Sequence, residues 1–135
     1  MKKRFCVAMM VLSVILSTAG MITAASHKNM VGTWSGRVDF VGWNSSVGFY
    51  YDWFTFTYEI LSEDFATGNF YGYGIGPTPF TGNVATNKRV TIIEYGNAGE
   101  YRILNATVSG RKMSGTMQHF KSDQVDTGTF TFFKQ

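Results

Sequence analysis

Histidine and carboxylate side chains are the residues of this sequence that could carry acid–base or metal chemistry. The two histidines, His27 and His119, lie far apart, and no pair of residues shows the spacing of zinc ligands. No G-x-S-x-G pattern is present, and a serine triad would have to use His119 as its base. The sequence therefore predicts no metal site, no cofactor and no catalytic residue, and it favours a non-catalytic protein.

The carboxylates fall mostly at expected strand ends and turns. Asp64, Asp123 and Asp126 stand in turn-rich stretches, where an aspartate commonly bonds to nearby backbone. A glycosidase pair would need two carboxyl groups about 5 to 10 Å apart, which a sequence cannot display. His119 shares strand parity with Met113 and Met117. It is either a hydrogen-bonded core or rim histidine, or a ligand contact or general base.

The stretch Gly68–Gly82, GNFYGYGIGPTPFTG, could be taken for a phosphate-binding loop because glycines crowd it. Such loops lie between a strand and a helix, and here the glycines lie inside a predicted strand with no helix after it. We interpret Gly72 and Gly74 as sites of close approach in a sheet, and Gly76-Pro77 as a turn.

The N-terminus has the order of a secretory signal peptide. Lys2, Lys3 and Arg4 precede an apolar run, Phe5–Leu16, and small residues follow up to Ala25. The apolar run is shorter than the roughly 20 residues that a spanning helix needs. We therefore expect residues 1–25 to be cleaved, residues 26–135 to form one domain, and the product to be periplasmic or secreted, in a bacterium, and not membrane-integral.

Removal of the leader changes the charge balance of the chain. Residues 26–135 keep nine Lys and Arg against nine Asp and Glu, and they contain no cysteine. A neutral domain offers no cluster of cations for phosphates, so no nucleic-acid partner is expected. Without disulfides, a domain of this size must be held together by its core.

The pattern of this domain is all-β. Apolar and polar residues alternate with period two, and turn residues interrupt the alternation every eight to twelve positions. Short loops join the strands, which predicts antiparallel neighbours, and closing the first strand onto the last removes exposed sheet edges. We predict an eight-stranded up-and-down barrel with strands in the following places: Val31–Val41, Tyr51–Leu61, Phe65–Gly74, Phe80–Ala85, Arg89–Tyr95, Glu100–Val108, Arg111–Phe120 and residues 127–134.

Gly32-Thr33-Trp34 at the start of the first strand resembles the G-x-W motif of the calycins, the lipocalin and avidin-type barrels. The stretches FTGNV, VSGRKMSGTM and DTGTFTF are similar to phrases of small exported lipocalin-like domains. The resemblance implies that Trp34 plugs one barrel end beside a basic residue, either Lys134 or Arg111. Avidins grip biotin with an Asn- and Ser-bearing strand after the motif; in the matching stretch Ser35–Asp39 only Ser35 could make such a contact, so biotin binding is not implied.

An eight-stranded barrel can be filled by side chains or can hold one small ligand. The leading hypothesis is a lipocalin-like protein that binds a small, largely apolar molecule in its lumen. Strand parity selects six ligand-binding candidates: Phe54, Phe56, Tyr58, Phe70, Ile103 and His119. A parity shift of one residue would move a strand's whole set to the outside.

Aromatic residues on the other parity support an alternative function. Trp53, Tyr71 and Tyr73 would form an exposed patch that binds carbohydrate or another protein. Aromatic residues on outer faces are also simply suited to sheets. An integral outer-membrane barrel is a third alternative, which charged residues on most possible lipid-facing bands disfavour.

Overall fold

The computed structural model describes residues 29–74 and 76–135, so the predicted signal peptide lies outside the described residues. Eight antiparallel strands follow one another around a closed ring, each paired with the next in sequence. The strands are β1 (Gly32–Asn44), β2 (Gly48–Glu63), β3 (Asn69–Tyr73), β4 (Pro79–Val84), β5 (Arg89–Tyr95), β6 (Tyr101–Ser109), β7 (Lys112–Lys121) and β8 (Gln124–Lys134). A 3₁₀ turn, Asn97–Gly99, precedes β6. Within the described residues no helix is long and apolar enough to cross a membrane.

Pairing of β1 with β8 closes the ring. The two strands are in register from Trp34 opposite Lys134 to Asn44 opposite Gln124. The prediction of an all-β, eight-stranded up-and-down barrel is confirmed, and the period-two pattern that predicted it appears as alternating buried and exposed residues along β3, β5 and β8.

The first hairpin is longer than predicted and the third strand is shorter. β1 and β2 pair up to Asn44 and Gly48 across a tight turn. β3 begins only at Asn69, because the Asp64 carboxylate accepts from Ala66 N and holds residues 64–68 in a turn.

Tyr73, the last residue of β3, lies opposite Glu59. Among the described residues, no strand therefore pairs with the other side of residues 48–58 of β2. We call this segment the β2 overhang.

The interior is packed solid over most of its length. Seventeen buried apolar side chains form one cluster, from Met30 and Trp34 at one end to Phe40 and Met117 towards the other. Trp34 is fully buried, donates Nε1–H to the carbonyl oxygen of Met30 at 2.8 Å, and has Lys134 Nζ 5.8 Å from its ring centroid. Arg111 instead donates to the carbonyl oxygen of Lys134. This end of the barrel is closed by apolar packing.

The glycines singled out in the sequence are required by close packing. A Cβ on Gly72 would collide with the carbonyl oxygen of Glu59 on the paired strand, and one on Gly74 would lie 2.5 Å from Glu94 Oε1. Gly76 has a φ of +65°, as expected for the turn after β3. The segment therefore follows a strand and turn geometry.

Candidate ligand-binding site

The second end of the barrel is open. β1, β2 and β8 continue past the ends of β3 and β4, so the inner faces of these strands stand partly uncovered. A cleft of about 290 Å³ lies there. It is lined by Phe40, Phe54, Phe56, Arg102, Met117, His119, Gln124 and Asp126. Its wall is aromatic: the Phe54 ring is stacked on Phe40 at 5.4 Å and on Phe56 at 6.0 Å between centroids.

Asp126 is the centre of the polar group nearest the cleft. It is buried, and three side chains lie within hydrogen-bond distance of its carboxylate. Tyr50 Oη donates to its Oδ1, while Gln124 Nε2 and His119 Nδ1 each lie 2.7 Å from its Oδ2. Gln124 also donates to Tyr50 Oη at 2.8 Å. The carboxylate thereby fixes the side chains of β2, β7 and β8 at the rim.

The same network continues inward through β6 and β5. His119 Nε2 lies 2.7 Å from Glu100 Oε1, which also accepts from Arg102 Nη2 at 2.7 Å. Arg102 Nη1 is 3.3 Å from Glu94 Oε2, and Tyr58 Oη donates to that oxygen at 3.0 Å. Glu94 and Tyr58 are fully buried. A continuous polar chain therefore leads from the core to the open end.

Burial and ion pairing determine the electrostatics of this row of polar side chains. Two carboxylates, Glu94 and Glu100, contact the Arg102 guanidinium, and two, Glu100 and Asp126, contact the ring nitrogens of His119. Burial, together with Asp126, raises the pKa of Tyr50 to about 12. Burial and the negative charge of Glu94 raise the pKa of Tyr58 well above its usual range. Both hydroxyls thus remain donors at neutral pH.

The six predicted ligand-binding residues fall into three groups. Phe54, Phe56 and His119 line the cleft. Tyr58 and Phe70 are buried in the packed interior, where both contact Phe80.

Ile103 does not face the interior, so the parity assigned to it was wrong. Leu104 and Val108 are the buried residues of β6. Ile103 lies on the opposite face, paired with Ile93 and Gln118. Two adjacent apolar residues, Ile103 and Leu104, follow Arg102, so the alternation along β6 did not show which of the two faces the interior.

Sequence reasoning missed most of the polar site. Asp126 is a buried residue of β8, so its interpretation as a turn residue was wrong. The available signal was strand parity: Glu94 shares a face with Val90 and Ile92, and Asp126 shares one with Phe130. Charged residues on buried faces require partners, and several near one barrel end can provide them for each other.

A larger depression, of about 610 Å³, lies on the outer wall over β3, β4 and β5. Its rim carries Asn69, Asn83, Thr81, Thr91 and Tyr71. The two asparagines already bond to each other, with Asn83 Nδ2 donating to Asn69 Oδ1 at 2.9 Å. Because no buried ionisable side chain lines this outer depression, we place the candidate site at the open end.

No protein-family model and no curated protein matches this chain. Within the described residues, no group of three or more His, Asp or Glu side chains could hold a metal ion.

Proposed function

We propose that this chain is an exported, non-catalytic, lipocalin-like barrel that binds a small, largely apolar molecule at its open end. The observation that carries this proposal is the row of stacked rings Phe40, Phe54 and Phe56 beside His119 and Asp126 in one cleft. Apolar walls with a few convergent polar groups are the usual composition of small-molecule sites.

The packed interior limits where and what the protein can bind. Tyr58 and Phe132 are fully buried in the middle of the barrel, with ring centroids 5.5 Å apart, so a ligand would stay at the mouth. The cleft of about 290 Å³ is at the small end of ligand pockets. The proposed ligand is therefore about one or two rings in size, largely apolar, and stacked on Phe54 and Phe56.

The pairing of the polar groups favours binding over catalysis. Each ring nitrogen of His119 is engaged by a carboxylate, Asp126 or Glu100, so neither is free to take a proton from a substrate. The two terminal guanidinium nitrogens of Arg102 are also paired with carboxylates, Nη1 with Glu94 and Nη2 with Glu100.

A fluorescence titration with 1-naphthylamine, a two-ring probe, tests the binding proposal. We expect saturable binding, and Phe56→Ala should weaken it at least tenfold, because the ring contributes on the order of 1.5–3 kcal/mol of apolar contact. Phe133→Ala is the matched control, since Phe133 lies on the outer wall at the closed end. Non-saturable binding, or equal losses in both variants, would contradict the proposal.

Export is tested separately. A tagged full chain expressed in a bacterium should be recovered from the periplasm or medium with its N-terminus near Ser26. Recovery of an intact N-terminus in the cytoplasm would contradict export and leave the ligand proposal standing.

Binding of a glycan or protein at outer aromatics is a second candidate function. Trp53 is half-exposed, with the Arg37 guanidinium 4.6 Å above its ring. Tyr73 lies opposite Glu59, six residues along β2 from Trp53, which is about 20 Å of strand. Trp53, Tyr71 and Tyr73 therefore do not form one platform. Trp53→Ala should abolish glycan or partner binding without unfolding, and unchanged binding would count against this function.

A further inference from the structure

The β2 overhang combines an open strand edge with exposed aromatic side chains on both faces. Residues 48–58 pair with β1 on one side, and no described strand pairs with the other. Phe49, Tyr51 and Trp53 are exposed on the outer face, and Phe54 is 47% exposed on the inner face. An inward residue of a barrel is normally covered, so Phe54 marks a gap in the wall.

The overhang has only one of the features by which soluble proteins protect a free edge. Edges are commonly blocked by lysine, proline, a bulge or an inward-pointing charge. Asp52, on the same face as Phe54, is the one charged residue from Gly48 to Tyr58, and the segment contains no lysine, arginine or proline. A hydrocarbon environment does not suit this edge either, because its unpaired backbone groups would have no partners there.

We propose that the overhang is a homodimer interface, in which two copies pair their β2 strands antiparallel about a two-fold axis. An antiparallel edge is self-complementary, so a second copy brings the same row of donors and acceptors in matching order. The pairing would make the eight-stranded sheets of two chains continuous and would close the side opening next to Phe54.

The exposed aromatic area is sufficient for such an interface. Phe49, Tyr51, Trp53 and Phe54 are 83%, 63%, 51% and 47% exposed. At about 150–250 Å² for each aromatic side chain, they offer about 370–610 Å² per chain. Two chains together reach the roughly 1,000 Å² that specific interfaces need, before any backbone contribution.

The charge of Asp52 and the cleft beside Gly76 and Pro77 restrict the register in which the two β2 strands can pair. Placing Asp52 opposite its own copy would set like charges face to face, which destabilises a strand pair. Residues Phe54–Thr57 border a second cleft next to Gly76 and Pro77, so the freest part of the edge is residues 48–54. A two-fold axis at Tyr51 satisfies both conditions, and it places Phe49 opposite Trp53 of the partner.

Sedimentation equilibrium of the full chain tests the dimer. We expect the mass of two chains at about 50 µM, and Tyr51→Lys should weaken association at least tenfold by placing two lysines across the axis. Tyr95→Lys is the matched control, because Tyr95 is exposed to a similar extent, 64%, on β5. A monomeric wild type, or an equal effect of both lysines, would overturn the proposal.

Cysteine cross-linking tests the register. In a Cys6→Ser background the introduced cysteine is the only thiol. Directly opposed antiparallel residues have Cα atoms about 4.5–5.5 Å apart, within disulfide range. Tyr51→Cys should therefore cross-link under mild oxidation, whereas Thr55→Cys, on the same face, should not. Equal cross-linking by both variants, or by neither, would overturn the two-fold axis at Tyr51.

A monomer that floats with phosphatidylcholine vesicles would assign the overhang to a lipid surface and would also overturn the dimer. Because Phe54 borders both the cleft and the overhang, the naphthylamine titration of Phe56→Ala is repeated in a Tyr51→Lys background, where the chain is expected to be monomeric, so that the two proposals are tested separately.

Discussion

His119 Nδ1 lies 2.7 Å from Asp126 Oδ2, although the two residues belong to different strands, β7 and β8, and face the open end of the barrel. They are direct register partners across the β7–β8 hairpin. This cross-strand pair holds the His119 ring at a defined position beside the cleft. Asp126 also accepts hydrogen bonds from Tyr50 and Gln124, and these bonds fix the carboxylate against which the ring rests.

Removal of the Asp126 carboxylate should destabilise the fold markedly. In Asp126→Ala, the donors of Tyr50, Gln124 and His119 lose an acceptor in a partly buried environment. We expect the free energy of unfolding to fall by about 3–5 kcal/mol, measured by urea denaturation. Asp123→Ala is the control, because Asp123 is exposed in the adjoining turn and should change stability by no more than about 0.5 kcal/mol. A small effect at Asp126 would mean that water replaces the carboxylate without cost.

Tyr50 should ionise much later than an exposed tyrosine. Burial and the hydrogen bond to Asp126 favour the neutral hydroxyl and raise the pKa of Tyr50 to about 12. Because the folded-state pKa exceeds the unfolded value of 10.0, the stabilisation is complete below about pH 10 and is lost as pH rises towards 12. The difference between the 295 nm titrations of wild type and Tyr50→Phe should isolate a step near pH 12. A step near pH 10 would contradict burial of the hydroxyl.

The fold could be predicted from the sequence because its signal is distributed over the whole chain. Period-two alternation identified every strand, and the edge argument identified the closure of β1 onto β8. Strand ends were less predictable, because β2 and β3 end where register and the Asp64 turn dictate, and neither leaves a periodic signal.

The candidate site was predictable only in part. Phe54, Phe56 and His119 reach the cleft because parity on β2 and β7 is unambiguous. The contacts of Glu94, Arg102 and Asp126 could not be deduced, since they depend on the relative stagger of four strands. A charged residue at a buried position signals that a partner exists, but it does not identify the partner.

The glycine interpretation predicts a contrast between two positions. A Cβ at Gly72 would collide with the backbone of Glu59, whereas one at Gly48 would meet nothing. Gly72→Ala must shift the β2–β3 pair, and we expect it to cost about 3 kcal/mol or more. Gly48 has a φ of +78°, so Gly48→Ala should cost only about 1–2 kcal/mol of backbone strain. Thermal or urea unfolding of the two variants measures this; a larger loss at Gly48 would refute the packing argument.

The phase of β6 can be tested with two adjacent residues of similar size. Leu104 is buried among the core residues, whereas Ile103 lies half-buried on the outer face, beside Ile93. Leu104→Ala leaves a cavity and should reduce the free energy of unfolding by about 2–5 kcal/mol. Ile103→Ala leaves no enclosed space, so we expect a loss of at most about 1 kcal/mol. Urea denaturation of both variants provides the comparison. If Ile103→Ala proved the more damaging, β6 would have the opposite phase, and Arg102 would leave the cleft and its contacts with Glu94 and Glu100.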